Sequence, residues 1–301
     1  MAGHCAACTS LAIVSPGCRE AFVRIGVTKL HWECWSSCNL HCKFCYRTED
    51  VPLDHESGLR LIDVCAYAGV RTFVFAGGDP SLRSDLSELI DHACASGLVV
   101  ELQSNFQRFD ARVRDRVADG RVSLSGLSLD AATSSAHDGF RSTRGNFRAV
   151  ISALEFHEGA GAPVIVRTVI TRQNWRETAE IAELLSRYEV VKRWSLLQFT
   201  PVGRGFANAS MYRLDDERNF EDAARTAVEN YRGAGEVDIY RSNDKQGTYA
   251  LVTAAGNLYG VTPEPAGGTY PVVGSMLRDH LSTLAAGLPF SRHRHQVRYG
   301  H

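Results

Sequence analysis

The chain has 301 residues and 44% hydrophobic content, enough to bury a large core, and a single α/β barrel of this size is ordinary. Lys plus Arg total 33 against 34 Asp plus Glu, so no global field draws in nucleic acid or an anionic membrane, although local basic patches stay open. The apolar stretch Leu11 to Val14 is too short for a signal peptide and no segment approaches the roughly 20 apolar residues of a bilayer span, so a cytoplasmic location without a membrane partner is expected, where nine cysteines need not pair.

Strand-like runs alternate with amphipathic helical stretches, the pattern of repeated βα units around a parallel sheet. Val27 to Trp32 reads as a first strand, followed by a cysteine-rich loop and a helix over His55 to Ala68 with Leu59, Ile62 and Ala66 on one side. Strands are expected at Thr72 to Ala76, Leu98 to Leu102, Val122 to Leu129, Val164 to Ile170 and Trp194 to Phe199, with helices at Leu86 to Ala95, Phe147 to His157 and Glu177 to Tyr188. That makes six βα-type strands; the pattern by itself does not separate a partial barrel from a closed eight-stranded one or a doubly wound sheet. After Pro201 the character shifts to a loop at 202–205, a charged helix at Asp215 to Tyr231, and a hairpin of Thr248 to Val252 with Asn257 to Val261 around Thr253-Ala254-Ala255-Gly256. The stretch 263–268 is loop by composition, Ser275 to Leu284 is a last helix, and the tail Ser291 to His295 is a basic segment, mobile or packed near an anionic site.

Chemistry concentrates in Cys38-Asn39-Leu40-His41-Cys42-Lys43-Phe44-Cys45. Structural zinc takes four tetrahedral ligands, commonly as two separated cysteine pairs, and no second pair follows downstream. A four-iron, four-sulfur cluster held by three thiolates of one loop leaves one iron open to a small molecule. Half a zinc knuckle, or three incidental thiols, is the bland alternative.

The C-x3-C-x2-C spacing, with aromatic Phe44 before the last cysteine, resembles the radical S-adenosylmethionine (SAM) superfamily. The resemblance implies a partial (βα)6 TIM-like barrel of the radical SAM type with a small α+β C-terminal extension. It implies a [4Fe-4S] cluster on Cys38, Cys42 and Cys45, with SAM chelating the fourth iron and cleaved to a 5'-deoxyadenosyl radical that abstracts hydrogen. An electron donor such as flavodoxin or ferredoxin is implied as partner. The expected division is an N-terminal segment 1–26, a barrel core 27–201 and an extension 202–301 over the substrate side.

Other motifs take their roles from the same likeness. Gly77-Gly78-Asp79-Pro80 closes the second strand where the family carries Gly-Gly-Glu-Pro for the SAM ammonium, so Asp79 is a shortened carboxylate; without the likeness, a Gly-Gly turn is a loop in which the backbone can approach a ligand. Ser104 or Asn105, at the end of the third strand, and Ser128 and Asp130, at the end of the fourth, are implied contacts to the SAM carboxylate and ribose, although Ser and Asp after a strand also serve as helix caps. His137-Asp138-Gly139-Phe140-Arg141 resembles a His-Asp-x-x-Arg stretch, which makes Arg141 the candidate for the SAM carboxylate, with Arg144 near enough to replace it. Cys5, Cys8, Cys18 and Cys34 are candidates for a second cluster or zinc, and Cys65 and Cys94 read as structural thiols.

For the substrate, Ile239 to Val252 resembles the corresponding part of viperin-like nucleotide dehydratases, and places Arg241, Asn243, Lys245 and Tyr249 on the cavity. The leading expectation is therefore a radical SAM enzyme acting on a small polar metabolite, a nucleotide, nucleoside or sugar-like molecule, in natural-product biosynthesis. A peptide-modifying radical SAM enzyme comes second, set back by the short segment before Val27 and the absence of cysteines after Cys94. A non-catalytic iron-sulfur or zinc protein comes third, since metal storage needs no polar groups at successive strand ends.

Overall fold

The computed structural model describes residues 19–47, 49–263 and 266–299. A short helix α1 (Ala21–Ile25) precedes strand β1 (Lys29–Trp35), and a repeating order follows: α2 (His55–Tyr67), β2 (Thr72–Gly77), α3 (Leu86–Ala95), β3 (Val99–Gln103), α4 (Ala111–Ala118), β4 (Val122–Ser128), α5 (Ser134–Phe140), α6 (Asn146–Ala160), β5 (Val164–Ile170), α7 (Thr178–Leu185) and β6 (Val191–Gln198). Local chemistry sets several helix starts. Asp54 accepts from the Ser57 N–H to cap α2, Asp110 from Val113 to cap α4, and Thr133 from Ala136 to cap α5.

The C-terminal third continues with α8 (Arg204–Ala207), α9 (Ala209–Tyr212), α10 (Arg218–Asn230), β7 (Glu236–Tyr240), β8 (Ala250–Val252), β9 (Asn257–Tyr259), β10 (Val272–Ser275), α11 (Leu281–Gly287) and α12 (Arg292–Tyr299). The sheet order is β10-β9-β8-β1-β2-β3-β4-β5-β6-β7. Strands β1 to β7 are mutually parallel and β8 is parallel to β1, while β9 and β10 add an antiparallel edge. The expected α/β architecture, a partial TIM-like barrel of successive βα units, is what forms. Among the described residues no helix is long and apolar enough to cross a membrane.

Three local readings change. Strand β7 pairs with β6 and adds a parallel strand beyond the six expected. The segment read as a helix from Ser275 begins as the last residue of β10, and the helix forms at Leu281–Gly287. The basic tail, read as mobile or packed near an anionic site, opens helix α12, whose His295 is buried, contacts the Thr28 hydroxyl at 3.2 Å and meets the Thr248 carbonyl at 2.8 Å.

Period-two alternation along the strands divides the molecule into an apolar shell and a polar lumen. On β1, Leu30 and Trp32 join the helix-facing core, while Lys29, His31 and Glu33 point the other way. Register carries that face round the sheet: His31 stands beside Val74, Val74 beside Glu101, Gln103 beside Gly126, Ser128 beside Arg167, and Arg193 beside Glu236. Helix α12 joins the two ends of the parallel array, because Arg298 stacks 3.7 Å from the Tyr240 ring of β7 and 4.5 Å from the Tyr249 ring preceding β8.

At the base of the lumen, Lys29 Nζ donates to Glu101 Oε1 at 2.7 Å and lies 4.7 Å from the Tyr299 ring centre. Burial pulls the Lys29 ammonium below its usual range and Glu101 opposes that shift. Removing one partner leaves a buried charge uncompensated. Glu101→Leu is expected to cost about 3–5 kcal/mol, whereas Lys29→Met/Glu101→Leu recovers most of the loss; urea midpoints of the wild type, both single variants and the double variant measure the coupling.

Candidate active site

The cysteine loop leaves β1 and folds over the C-terminal ends of the parallel strands, in the position where barrel sites form. Cys42 shares an apolar cluster with Leu40, Phe44, Phe140, Phe199 and Tyr212, and Cys38 and Cys45 pack against the same cluster. Phe44 lies 4.5 Å from the Phe140 ring and 5.6 Å from the Tyr212 ring, which anchors the loop to α5 and α9. Backbone N–H of Leu40 and Asn105 Nδ2 both donate toward Cys38 Sγ, at 3.4 and 3.6 Å, and Cys42 Sγ donates to the Arg141 carbonyl at 3.6 Å. Burial raises all three thiols, Cys42 to about 12, with the Arg141 charge opposing that shift at Cys42.

Thiols held protonated by an apolar pocket become ligands when metal displaces the proton. Among the described residues no group of three or more His, Cys, Asp or Glu side chains is gathered tightly enough for one ion. The donor set suits an iron-sulfur cluster, whose thiolates bind separate irons and whose sulfurs accept N–H hydrogen bonds such as those aimed at Cys38.

The Gly77-Gly78 turn packs on the root of this loop. A Cβ on Gly77 would lie 2.5 Å from the Trp35 carbonyl oxygen, and one on Gly78 would lie 2.3 Å from Ser37 O and 2.6 Å from Ser36 O. Gly77 also has φ of 142°, a conformation that favours glycine. The Gly78 N–H donates to Trp35 O at 2.7 Å and the Asp79 N–H to Ser37 O at 2.9 Å. These glycines therefore permit close approach of the cysteine loop itself.

Asp79 is fully buried and its carboxylate is taken up inside the protein. Oδ1 accepts from Ser81 N–H at 2.9 Å and from the Ser104 hydroxyl at 2.9 Å, while Oδ2 accepts from Asn105 N–H at 2.7 Å. Burial pushes its pKa up and these donors hold it down. Pro80 opens the next turn behind it. Ser104 is thus spent on Asp79, and Asn105 bridges Asp79, Asn39 Oδ1 at 2.7 Å and Cys38.

On the next strands, Ser128 ends β4 on the lumen face beside Arg167. Asp130 and Arg141, both expected to meet SAM, meet each other: Arg141 Nε donates to Asp130 Oδ2 at 2.7 Å and Nη2 lies 2.6 Å from the same oxygen. Asp130 Oδ1 accepts from Val169 N–H at 2.9 Å. His137 Nδ1 accepts from Asp130 N–H at 3.2 Å, so its proton sits on Nε2, which faces Asn146 Oδ1 at 3.0 Å. Burial holds this imidazole neutral, with a pKa lowered to about 4.

The substrate-side expectations divide. Lys245 and Tyr249 reach the lumen end: Lys245 Nζ donates to the Thr200 hydroxyl at 2.9 Å and burial lowers its pKa to about 7, while the Tyr249 ring packs 5.5 Å from His31. Arg241 and Asn243 are exposed instead. Arg241 turns outward because Glu221 of α10 receives it in two hydrogen bonds, at 2.8 and 2.7 Å. Of the second set of cysteines, Cys34 is a buried core thiol, and Cys5, Cys8 and Cys18 lie outside the described residues.

Sequence reading missed several groups. Glu33, 6% exposed, faces the hydroxyls of Tyr259 and Tyr46, and its Oε1 has no hydrogen-bond partner. The segment after Pro201, read as loop, forms α8 over the cysteines: Gly205 N–H donates to Cys45 O at 3.2 Å and Asn208 Nδ2 to Lys43 O at 3.2 Å. The signal for the lumen was present as Lys29-x-His31-x-Glu33, a charged alternation inside an apolar strand.

The model of the radical SAM superfamily matches residues 32–185, just over half of the chain, and this protein belongs to that superfamily. Its members are enzymes that carry a [4Fe-4S] cluster and bind SAM. The AdoMet-dependent heme synthase of Oleidesulfovibrio alaskensis is 31% identical over 195 residues, 63% of this chain and 48% of that protein. Mycofactocin maturase MftC of Mycobacterium tuberculosis is 34% identical over 181 residues, 58% of this chain and 46% of that one. The chain thus spans about half the length of the curated relatives it matches. In fold it is similar to Streptococcus suis SuiB bound to S-adenosylmethionine, with a TM-score of 0.63 at 16% identity over 78% of this chain and 60% of that one. Native anSMEcpe with bound AdoMet and Kp18Cys peptide gives 0.67 at 16% identity over 85% and 79%.

Two outcomes follow from this geometry. Gly78→Ala places a methyl against backbone oxygens of the loop root, so iron retained after anaerobic reconstitution should fall by at least half relative to wild type, as measured by iron and protein assay. Glu33 has a pKa raised by burial to about 7 from an ordinary 4.5, so the folded state holds this proton more tightly and the associated stability is lost as pH rises from 4.5 through 7. The stability of Glu33→Gln relative to wild type should therefore improve by about 1 kcal/mol between pH 6 and pH 8, read from paired thermal midpoints.

Proposed function

We propose that this protein is a radical SAM enzyme in which Cys38, Cys42 and Cys45 hold the cluster and the C-terminal ends of β2 to β4 hold SAM, with the polar lumen receiving a small polar substrate. The observation that carries the reading is the convergence of three thiols of one loop, the Gly77-Gly78 turn and Asn105 at neighbouring strand ends. When bound, the cluster and SAM supply reductive cleavage to a 5'-deoxyadenosyl radical that abstracts hydrogen.

The chain's own groups have separable tasks. Asn105 and the Leu40 N–H stabilise Cys38 as a thiolate, and Phe44, Phe140 and Tyr212 exclude water from the sulfurs. Asp79 fixes the ends of β2 and β3, leaving the backbone carbonyls of the Gly77-Gly78 turn for the SAM ammonium. Arg141, held by Asp130, offers its remaining guanidinium nitrogen to the SAM carboxylate, and Ser128 lies on the ribose side. Glu33, Lys245 and Tyr249 offer a carboxyl, an amine and a phenol to the substrate. Flavodoxin or ferredoxin in the cytoplasm is the proposed source of the electron, and a nucleotide, nucleoside or sugar-like metabolite the proposed substrate.

Anaerobic reconstitution should give about three to four irons per chain, with a reduced-cluster signal that shifts on addition of SAM. Cys42→Ala should bring 5'-deoxyadenosine down to the level of a protein-free control; turnover persisting in that variant would sink the cluster assignment. Deuterium transfer into 5'-deoxyadenosine from a labelled panel, nucleotides first and peptides second, identifies the substrate class.

A further inference from the structure

Positive charge in the lumen exceeds what the protein itself pairs. Arg167 projects from β5 across β4: a Cβ on Gly126 would lie 2.2 Å from Arg167 Nη1 and 3.1 Å from Gln103 Cγ. Its charge acts on Lys29 and His31 of β1, on Tyr46 after the cysteine loop and on Tyr299 of α12. Among the described residues, no hydrogen bond or ion pair engages its guanidinium.

Arg298 enters from the other side. It is stacked over Tyr240 and Tyr249, with Tyr299 at 5.8 Å, and its Nη1 is buried without a hydrogen-bond partner. The two arginines border the same space: Gln103, which meets Arg167 over Gly126, lies 3.4 Å from His31 Nδ1, His31 Nε2 lies 3.1 Å from the Tyr299 hydroxyl, and Arg298 lies 5.8 Å from the Tyr299 ring. The carboxylates of that space are engaged elsewhere. Glu101 holds Lys29, and Asp238 holds Arg193 at 3.0 Å and the Tyr240 hydroxyl at 3.1 Å. Glu33 is engaged by the hydroxyls of Tyr46 and Tyr259, and neither arginine is among the groups that shift it.

Two guanidiniums bordering one chamber repel each other, and one with a dry, unsatisfied N–H is unfavourable unless something accepts from it. A planar fork of N–H donors matches the oxygens of a carboxylate or phosphate, and aromatic stacking of the kind seen at Arg298 holds such a fork in place. We propose that the lumen seats an oxyanion of the substrate, a carboxylate or phosphate, between Arg167 and Arg298, and that Gly126 is small so that Arg167 can lie across β4. This rests on the lumen being the substrate chamber of the radical SAM enzyme proposed above.

The test is the thermal midpoint of the full reconstituted chain in sodium phosphate or sodium malonate, at an ionic strength held constant with chloride. One of the two should raise the midpoint by about 5 °C near saturation, and the more effective ion names the source of the oxyanion. Arg167→Met and Arg298→Met should each remove more than half of that rise, and Gly126→Ala should reduce it by displacing Arg167. Equal midpoints in phosphate, malonate and chloride, or an undiminished rise in the Arg167→Met/Arg298→Met variant, would overturn the proposal. Should the variants fail to fold by circular dichroism, phenylglyoxal labelling of the wild type decides. The stabilising ion should slow modification of Arg167 and Arg298 at least about 5-fold, and no protection counts against the site. Iron content is measured on the same samples, so a chain that takes up no cluster yet shows the arginine-dependent rise separates failure of the cluster reading from failure of this one.

Discussion

The approach of two backbones, the turn after β2 and the chain leaving β1, is the constraint on which the site depends. Both glycine positions face main-chain oxygens at distances no side chain tolerates, and two N–H donors of the turn close on Trp35 O and Ser37 O. The root of the cysteine loop is thereby fixed to β2 before any ligand arrives. The same turn delivers Asp79 to the end of β3, where Ser104 and Asn105 take up its carboxylate and Asn105 reaches on to Cys38. Three strand ends and one sulfur form a connected set of short contacts. An aspartate is long enough for that work, which gives the shortened carboxylate a structural task inside the protein.

The pairing of Arg141 with Asp130 follows a similar logic. Each residue, considered singly at a strand end or in a loop, looks available to a ligand, and only the fold shows that α5 returns Arg141 onto the strand-end carboxylate. The pair still leaves a guanidinium nitrogen, and neutral His137 beneath it fixes the Asp130 backbone. An arginine oriented by a buried carboxylate presents its remaining donors in one direction, which a free loop arginine does not.

Legibility tracked the range of the interaction. The cysteine spacing, the strand ends and the order of βα units are local patterns, and they could be read from sequence. The hairpin of β8 and β9 was equally visible, but its docking beside β1, parallel to it, depends on residues some 220 positions apart and leaves no local trace. Arg241 illustrates the converse: a plausible cavity residue by its neighbours, it is claimed by Glu221 on a helix that the local pattern does not bring near it. The basic tail, expected to be mobile or to pack near an anionic site, carries His295 within α12 onto the neutral groups of Thr28 and Thr248, partners that no local pattern announces.

The lumen was the least legible part because alternation tells which residues share a face without saying what that face encloses. In an ordinary barrel core, inward positions are filled by branched apolar side chains. Here β1 turns Lys29, His31 and Glu33 inward while Leu30 and Trp32 supply the shell, so the interior is polar at the expense of packing. The protein neutralises part of this itself through Lys29 with Glu101 and Arg193 with Asp238. What it leaves unneutralised lies toward α12, on the side where Arg298 joins the two ends of the parallel array. A helix that carries a guanidinium with one unsatisfied nitrogen into the gap both bridges the ends of the sheet and charges its interior. In the proposed oxyanion site, closure and recognition fall to one side chain, and a substituent that met Arg298 would also tie together the edges of the chamber that holds it.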